Sequence, residues 1–430
     1  MREGSLKSII QCIVVLGILF SCSLPARSEE PASNRLTLEK LLSLALENNL
    51  ELKAARRNLE IAGGESVGAL RYPFNPDLEV EGSTGRPFEA TGDRLYRLGI
   101  SQQIEWPGKR RLRSEAAEAN LTRVEREIKD RERLLIGEVK SLYNRTLHLE
   151  RKLRFAEEAI ALNEKLVETT EARSSAGESP GLDVNLAKVE LNKAINDRRA
   201  IEGGLSGARG RLNLLVGKAW DAALKLDEPL HFVPKTLQID PILASAKRLR
   251  PDLLALQAER ERAAFIKDLS LRERFPNPSV SLFYERAATT LGPFSERDQL
   301  IGGKLSIPLP LFNRNQGPII ATASRQVQIG IEVAAKEAAI AQEVGAAFEK
   351  FVLAQKSVAL FEEGILSQTR ENLNLIRDAY EAGEVGIMTV IQEQERFINT
   401  NISYFDTLQE YHAALIDLET AVGGNVEEHR

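Results

Sequence analysis

A chain of 430 residues, 43% of them hydrophobic and 28% charged, can fold around a sizeable interior rather than remain disordered. Its 57 basic and 62 acidic residues give a formal net charge of -5 and are mixed along the whole length. No basic stripe of the kind that neutralises phosphates is present, which argues against nucleic acid as a partner.

The first 28 residues stand apart. Arg2 and Lys7 precede a short apolar run, Ile9 to Phe20, and small residues follow it, the pattern of a secretory signal. The run falls well short of the ~20 residues of a membrane-spanning helix. No later stretch reaches that length, so a mature chain that enters a membrane does so as a β-barrel. Ala26-Arg27-Ser28 suits ordinary cleavage before Glu29, whereas Leu19-Phe20-Ser21-Cys22 resembles a lipoprotein processing box. The leader is therefore 1–28, or 1–21 if Cys22 carries lipid. Cys12 and Cys22 are the two cysteines of the chain, which leaves the folded part without a disulfide or a thiolate ligand.

The rest is a duplicated pattern. Ala176-Gly177-Glu178 recurs as Ala382-Gly383-Glu384, Val184 as Val390 and Val216-Gly217 as Val422-Gly423, each 206 residues on, and Asn75-Pro76 recurs as Asn277-Pro278 after 202. The halves are 36–217 and 241–423, and the join, 218–240, contains Pro229 and Pro234 and reads as a connecting segment. Each half predicts, in order, a helix of about 30 residues, two short strands, a very long helix, a tight turn and a returning helix. In the first half the long helix spans Lys109 to Arg173. Leu121, Val124, Ile128, Leu135, Val139, Leu142, Leu149, Leu153, Ala156, Ile160 and Val167 fall at intervals of 3, 4 or 7, a coiled-coil seam. Such a helix is about 100 Å long. The return runs from Leu182 to Val216, and the second half predicts helices at Gly317 to Ala382 and Ile387 to Val422.

Between the helices, Tyr96, Leu98, Ile100, Ile104 and Trp106 alternate with Arg97, Ser101, Gln103 and Glu105. Ile301, Leu305, Ile307 and Leu309 alternate likewise with Lys304, Ser306 and Pro308. The partner strands carry Leu78 and Val80, then Val280, Leu282 and Tyr284, against polar neighbours. Alternation with period two suits a barrel strand with an apolar outer face and a polar inner one. Four strands cannot close a barrel, which needs about eight. Three copies of the chain would supply twelve. Segments 84–95 and 286–299 read as the outward loops.

With these features the chain resembles the TolC-like outer-membrane factors over essentially its whole mature length. Ile104-Glu105-Trp106-Pro107-Gly108-Lys109-Arg110 and Ile307-Pro308-Leu309-Pro310-Leu311-Phe312-Asn313-Arg314-Asn315-Gln316-Gly317 are most similar to the heavy-metal branch, the outer-membrane components of cobalt-zinc-cadmium and nickel pumps. The resemblance implies a mainly α chain with a small β part. It also implies a homotrimer whose 12-stranded barrel sits in outer-membrane lipid and continues as a helical barrel in the periplasm. A periplasmic adaptor and an inner-membrane, proton-driven resistance-nodulation-division (RND) transporter would complete the pump.

Carried onto this sequence, the resemblance places adaptor contact at the hairpin tips, at Gly177, Glu178, Gly383 and Glu384, and a gate latch at Asp183 and Tyr380. Two departures follow. The family archetype has an arginine where Val385 stands, and its constricting acidic ring falls on Thr389 and Gln392. Each tip glycine also reads as a plain helix stop, and Asp183 as a first-turn residue favoured by the helix dipole.

Chemistry is not evident. His148, His231, His412 and His429 share no ligand spacing and read as surface residues. No nucleophile elbow or phosphate loop occurs, and no cofactor or enzymatic activity is expected. The readings left open are metal efflux, drug efflux or protein export through such a duct, or, in another class, a periplasmic structural coiled coil.

Overall fold

The structure, a computed structural model, describes residues 35–85, 93–226, 231–291 and 294–426. Cys12, Cys22 and His429 lie outside them, as does most of the first outward loop. The described chain from Leu36 onward is one compact unit. The first half contains α1 (Leu38–Asn48), α2 (Leu50–Leu70), β1 (Asp77–Thr84), β2 (Arg94–Gln103), α3 (Lys109–Ser175) and α4 (Gly181–Leu215). The second contains α5 (Ile239–Leu249), α6 (Pro251–Glu273), β3 (Ser279–Leu291), β4 (Phe294–Ser306), α7 (Gln316–Leu360), α8 (Leu366–Glu381) and α9 (Ile387–Val422).

The expected opening helix of about 30 residues is two helices in each half. Asn49 breaks the first at φ -59°, ψ 124°, and its side chain caps α2 by accepting from the Leu52 N–H at 3.0 Å. Arg250 breaks the second, because Pro251 disfavours helical geometry in the residue before it and suits the first helical position itself. Both breaks dock on the end of the last helix of their own half. Asn49 Nδ2 donates to the Leu215 carbonyl at 3.3 Å, and Arg250 Nη1 to that of Ala421 at 3.1 Å. The repeated Val-Gly closes the same joint. Gly217 has φ +73°, and a Cβ there would lie 2.8 Å from Asn48 Cβ.

The 67-residue α3 forms unbroken, with a span of about 100 Å. Its counterpart does not. Between α7 and α8 the turn Phe361–Ile365 is a π-helical turn, with Gly364 outside helical geometry. The wide turn presents Glu362 to the Tyr404 hydroxyl at 2.7 Å, a contact across to α9.

The burial phase of α3 also departs from the single seam. Val124, Ile128, Leu135, Val139 and Ala156 are buried as expected, but the rest of the buried set further along is Phe155, Ala159, Asn163, Leu166 and Thr170, while Leu153, Ile160 and Val167 are half-buried. The helix has neighbours on more than one side, α4, α6 and α9 among them, so no one stripe suffices. The buried polar members are satisfied locally. Asn163 Nδ2 donates to the Ala159 carbonyl at 2.8 Å and Thr170 Oγ1 to that of Leu166 at 2.9 Å. His148 is likewise buried rather than on the surface, with Nε2 3.2 Å from Asp406 Oδ1.

The main core runs along the helices, with Tyr143, Leu212, Leu253, Ile340, Phe351, Leu408 and Tyr411 almost fully enclosed. The connecting segment lies against it: Phe232 meets the Tyr411 ring edge-on at 5.1 Å, and the Tyr411 hydroxyl donates to the Val233 carbonyl.

Candidate functional site

The strands form one antiparallel sheet in the order β1-β2-β3-β4. Register sets its two faces, since directly paired residues share a side. Leu78 pairs Ile100, which pairs Leu282; Val80 pairs Leu98, which pairs Tyr284, which pairs Ile301; Val280 pairs Leu305. All nine are exposed, and nothing among the described residues covers them. The opposite face carries Glu81, Arg97 and Glu285 in one row. Arg97 bonds Glu81 at 3.0 Å and Glu285 at 2.9 Å, and its guanidinium lies 4.9 Å above the Phe283 ring. That ring occupies the space beside Gly302, where a Cβ would come within 2.5 Å of it.

The strands end sooner than expected at the helix side and later at the other. Ile104 N–H makes a last bond to the Pro278 carbonyl at 2.7 Å, and Trp106, Ile307 and Leu309 lie past the ladder, where Pro107, Pro278, Pro308 and Pro310 have no N–H to continue it. Segment 286–299 is largely strand, as β3 and β4 pair out to Leu291 and Phe294. At the passage into α3, Trp106 stacks on Phe275 at 5.7 Å, and Asn277 accepts from the Trp106 N–H at 3.0 Å and from Lys109 Nζ at 2.8 Å. The second Asn-Pro of the repeat thus anchors the start of the first long helix.

At the far end the two hairpins turn in the same way. Gly177 donates to the Ser174 carbonyl and Glu178 to that of Arg173, at 3.0 and 2.9 Å, while Gly383 donates to Tyr380 and Glu384 to Ala379, at 3.0 and 2.8 Å. These are Schellman caps with left-handed glycines, φ +77° and +79°. Gly177, Glu178, Gly383 and Glu384 are all exposed. Behind them Leu166, Ala187, Tyr380, Ile387, Val390 and Ile391 form a small separate core, and Val385 packs against it. Thr389 is half-buried and Gln392 exposed.

Asp183 lies in the first turn of α4, half-buried, and Tyr380 is buried at the end of α8. Burial pushes the Tyr380 hydroxyl above its ordinary range, Arg173 opposes that, and Asp183 adds to it. No hydrogen bond joins the two within one chain, and the Tyr380 hydroxyl is buried without a partner among the described residues. The residue that does reach Tyr380 is Arg173, which the sequence presented only as the end of a helix. It donates to the Tyr380 carbonyl, and its guanidinium lies 4.8 Å over the ring.

Among the described residues no group of three or more His, Cys, Asp or Glu could hold a metal ion, and no helix is long and apolar enough to cross a membrane. A sheet with one bare apolar face and one ion-paired face, continued by paired helices of this length, is the make-up of a channel subunit rather than an enzyme. The outer membrane efflux protein family matches residues 41–218 and again 242–424, and the chain belongs to that family. It is therefore an outer-membrane protein that extends into the periplasm.

The chain is 23% identical over 392 residues to the cobalt-zinc-cadmium resistance protein CzcC of Cupriavidus metallidurans, covering 91% of each. It is 25% identical over 414 residues to the cation efflux system protein CusC of Escherichia coli O157:H7, covering 90% of this chain and 86% of that one. The crystal structure of the outer membrane protein VceC from Vibrio cholerae has the same fold, with a TM-score of 0.73, 20% identity, and coverage of 90% of this chain and 96% of that one.

Proposed function

We propose that three copies of this chain form the exit duct of a tripartite RND-type pump, and that the duct passes divalent heavy-metal cations outward. The observation that carries it is the four-stranded sheet whose apolar face is uncovered and whose strands are too few to close. Twelve strands from three copies would close it, with lipid against Leu78, Val80, Leu98, Ile100, Leu282 and Ile301 and water against Arg97, Glu81 and Glu285. The heavy-metal cargo is supported by the names of the relatives CzcC and CusC. The duct is a passive conduit, and selection of the cargo belongs to the inner-membrane transporter.

In this reading the exposed tips at Gly177, Glu178, Gly383 and Glu384 receive the periplasmic adaptor. Asp183 and Tyr380 form part of the gate, and Val385 fills the tip core where the archetype has a charge. Three experiments test it. Membrane fractionation with a heat-modifiability gel should show an outer-membrane oligomer; a wholly soluble periplasmic protein would sink the duct. Deletion of the gene should lower tolerance to cobalt, zinc, cadmium or nickel. Unchanged metal tolerance beside lost drug tolerance would move the cargo to drugs. Asp183→Ala should raise the conductance of the oligomer in planar bilayers, and an unaltered closed state would remove Asp183 from the gate.

A further inference from the structure

Arg173 stands in the last turn of α3, yet its strongest contacts are with the end of α8, 207 residues away. Its Nη1 donates to the Tyr380 carbonyl, the same oxygen that accepts the Gly383 N–H in the Schellman cap. The guanidinium lies over the Tyr380 ring at 4.8 Å, and its Nε is 3.6 Å from Glu178 on its own tip. One planar cation is thus shared between two helix C-termini, where unpaired carbonyls and the helix dipole both favour positive charge. A Cβ at Gly383 would sit 3.6 Å from Nη2, an ordinary contact, so it is the left-handed φ of +79° of the cap that calls for glycine there. The contact is one-sided. The position matching Arg173 in the second half, 206 residues on, is Ala379, which can return nothing of the kind.

We propose that Arg173 is the clamp that holds the two hairpin tips of one protomer together as a single body and keeps Tyr380 seated in the tip core. Resting on the duct reading, the clamp belongs to the closed state, and the two tips of a protomer part at the conduit's inner end only when this contact breaks. Arg173 is a positioning residue: it acts through Tyr380 and through the α8 cap.

The test uses the full chain as its solubilised oligomer, with spin labels at Ala176→Cys and Ala382→Cys on the two tips. Labelled chain is diluted with unlabelled chain so that the distance measured lies within one protomer. A second pair, Leu134→Cys and Leu353→Cys, reports on the helical body. Arg173→Ala should broaden the tip distances and shift them longer while the body pair keeps its distribution. Arg173→Gln, which keeps a donor for the Tyr380 carbonyl but loses the charge, should shift them less, and serves where the alanine variant does not assemble.

A wild-type tip distribution in the variant overturns the clamp, and so does equal broadening of both pairs, which is general loosening. Bilayer conductance separates this from the duct reading. Broadened tips with raised closed-state conductance support both, whereas broadened tips without any channel activity leave the clamp standing and remove the duct.

Discussion

In the helical body Phe351 and Tyr411 are 1% exposed within a single chain, whereas in the sheet Leu282, Val80 and Ile301 are 62, 75 and 82% exposed. The two regions have similar apolar side chains in regular patterns. They differ in how many elements one chain can bring to bear. Helices of this length meet several neighbours along their run, and ion pairs such as Lys140–Glu419 and Lys193–Glu395, both at 2.7 Å, tie α3 and α4 to α9 across the edges of the core. A sheet of four strands has one layer and nothing of its own to set against it. The body therefore completes its core alone, and the sheet leaves its apolar face bare, the face that the proposed duct would set against lipid.

The comparison can be broken from either side. Phe351→Ala removes a ring packed 5.5 Å from Tyr411 and should cost about 3–5 kcal/mol, read as a loss of urea stability in the solubilised protein. Leu282→Arg should cost about 2–4 kcal/mol per copy in the membrane and little in the helical body. The check is loss of the heat-modifiable oligomer with far-UV helicity retained. Glu79→Arg, at an exposed position on the ion-paired face, should assemble normally.

The next effect sharpens the picture of the body. Burial, and then Lys152, hold the His148 imidazole down to about 4, with Asp406 pulling the other way. The unfolded chain, with its histidine near ~6.5, takes up the proton first, so stability is full above that value and falls as pH drops toward 4. The loss is on the order of 2 to 3 kcal/mol from this group. His148→Gln should flatten the dependence of the urea midpoint on pH between those limits. His412, also held down to about 4 by burial, leaves part of the slope in place.

The smallest effect concerns the joints. Gly217→Ala forces a left-handed non-glycine and a contact with Asn48, and should cost on the order of 1–2 kcal/mol in thermal unfolding. Gly177→Ala has the same backbone strain with open space around it, and should cost less.

Much of this architecture is local in origin and could be read along the chain. Heptad spacing without proline makes α3 a long helix, alternation makes β1 to β4 strands, and Gly177 and Gly383 stop helices where the repeat places them. The duplication fixes the element order twice over, and its repeated Gly-Glu pairs stand exposed at the two turns. Those signals are periods and backbone preferences, which depend on near neighbours.

What only the tertiary structure decided depends on partners far away in sequence. The breaks at Asn49 and Arg250 have local causes, an N-cap and Pro251, but where each side chain docks, on a helix end more than 160 residues distant, is settled by the tertiary fold. The π turn at Phe361–Ile365 interrupts one long helix and not its twin, and the sequence gives no proline to announce it. Along the second half of α3 the buried face is chosen by the helices packed on it rather than by its own seam. The tip contact itself joins Arg173 to Tyr380, where the sequence had offered Asp183, because a charge at a helix end is settled by which other helix end folds against it.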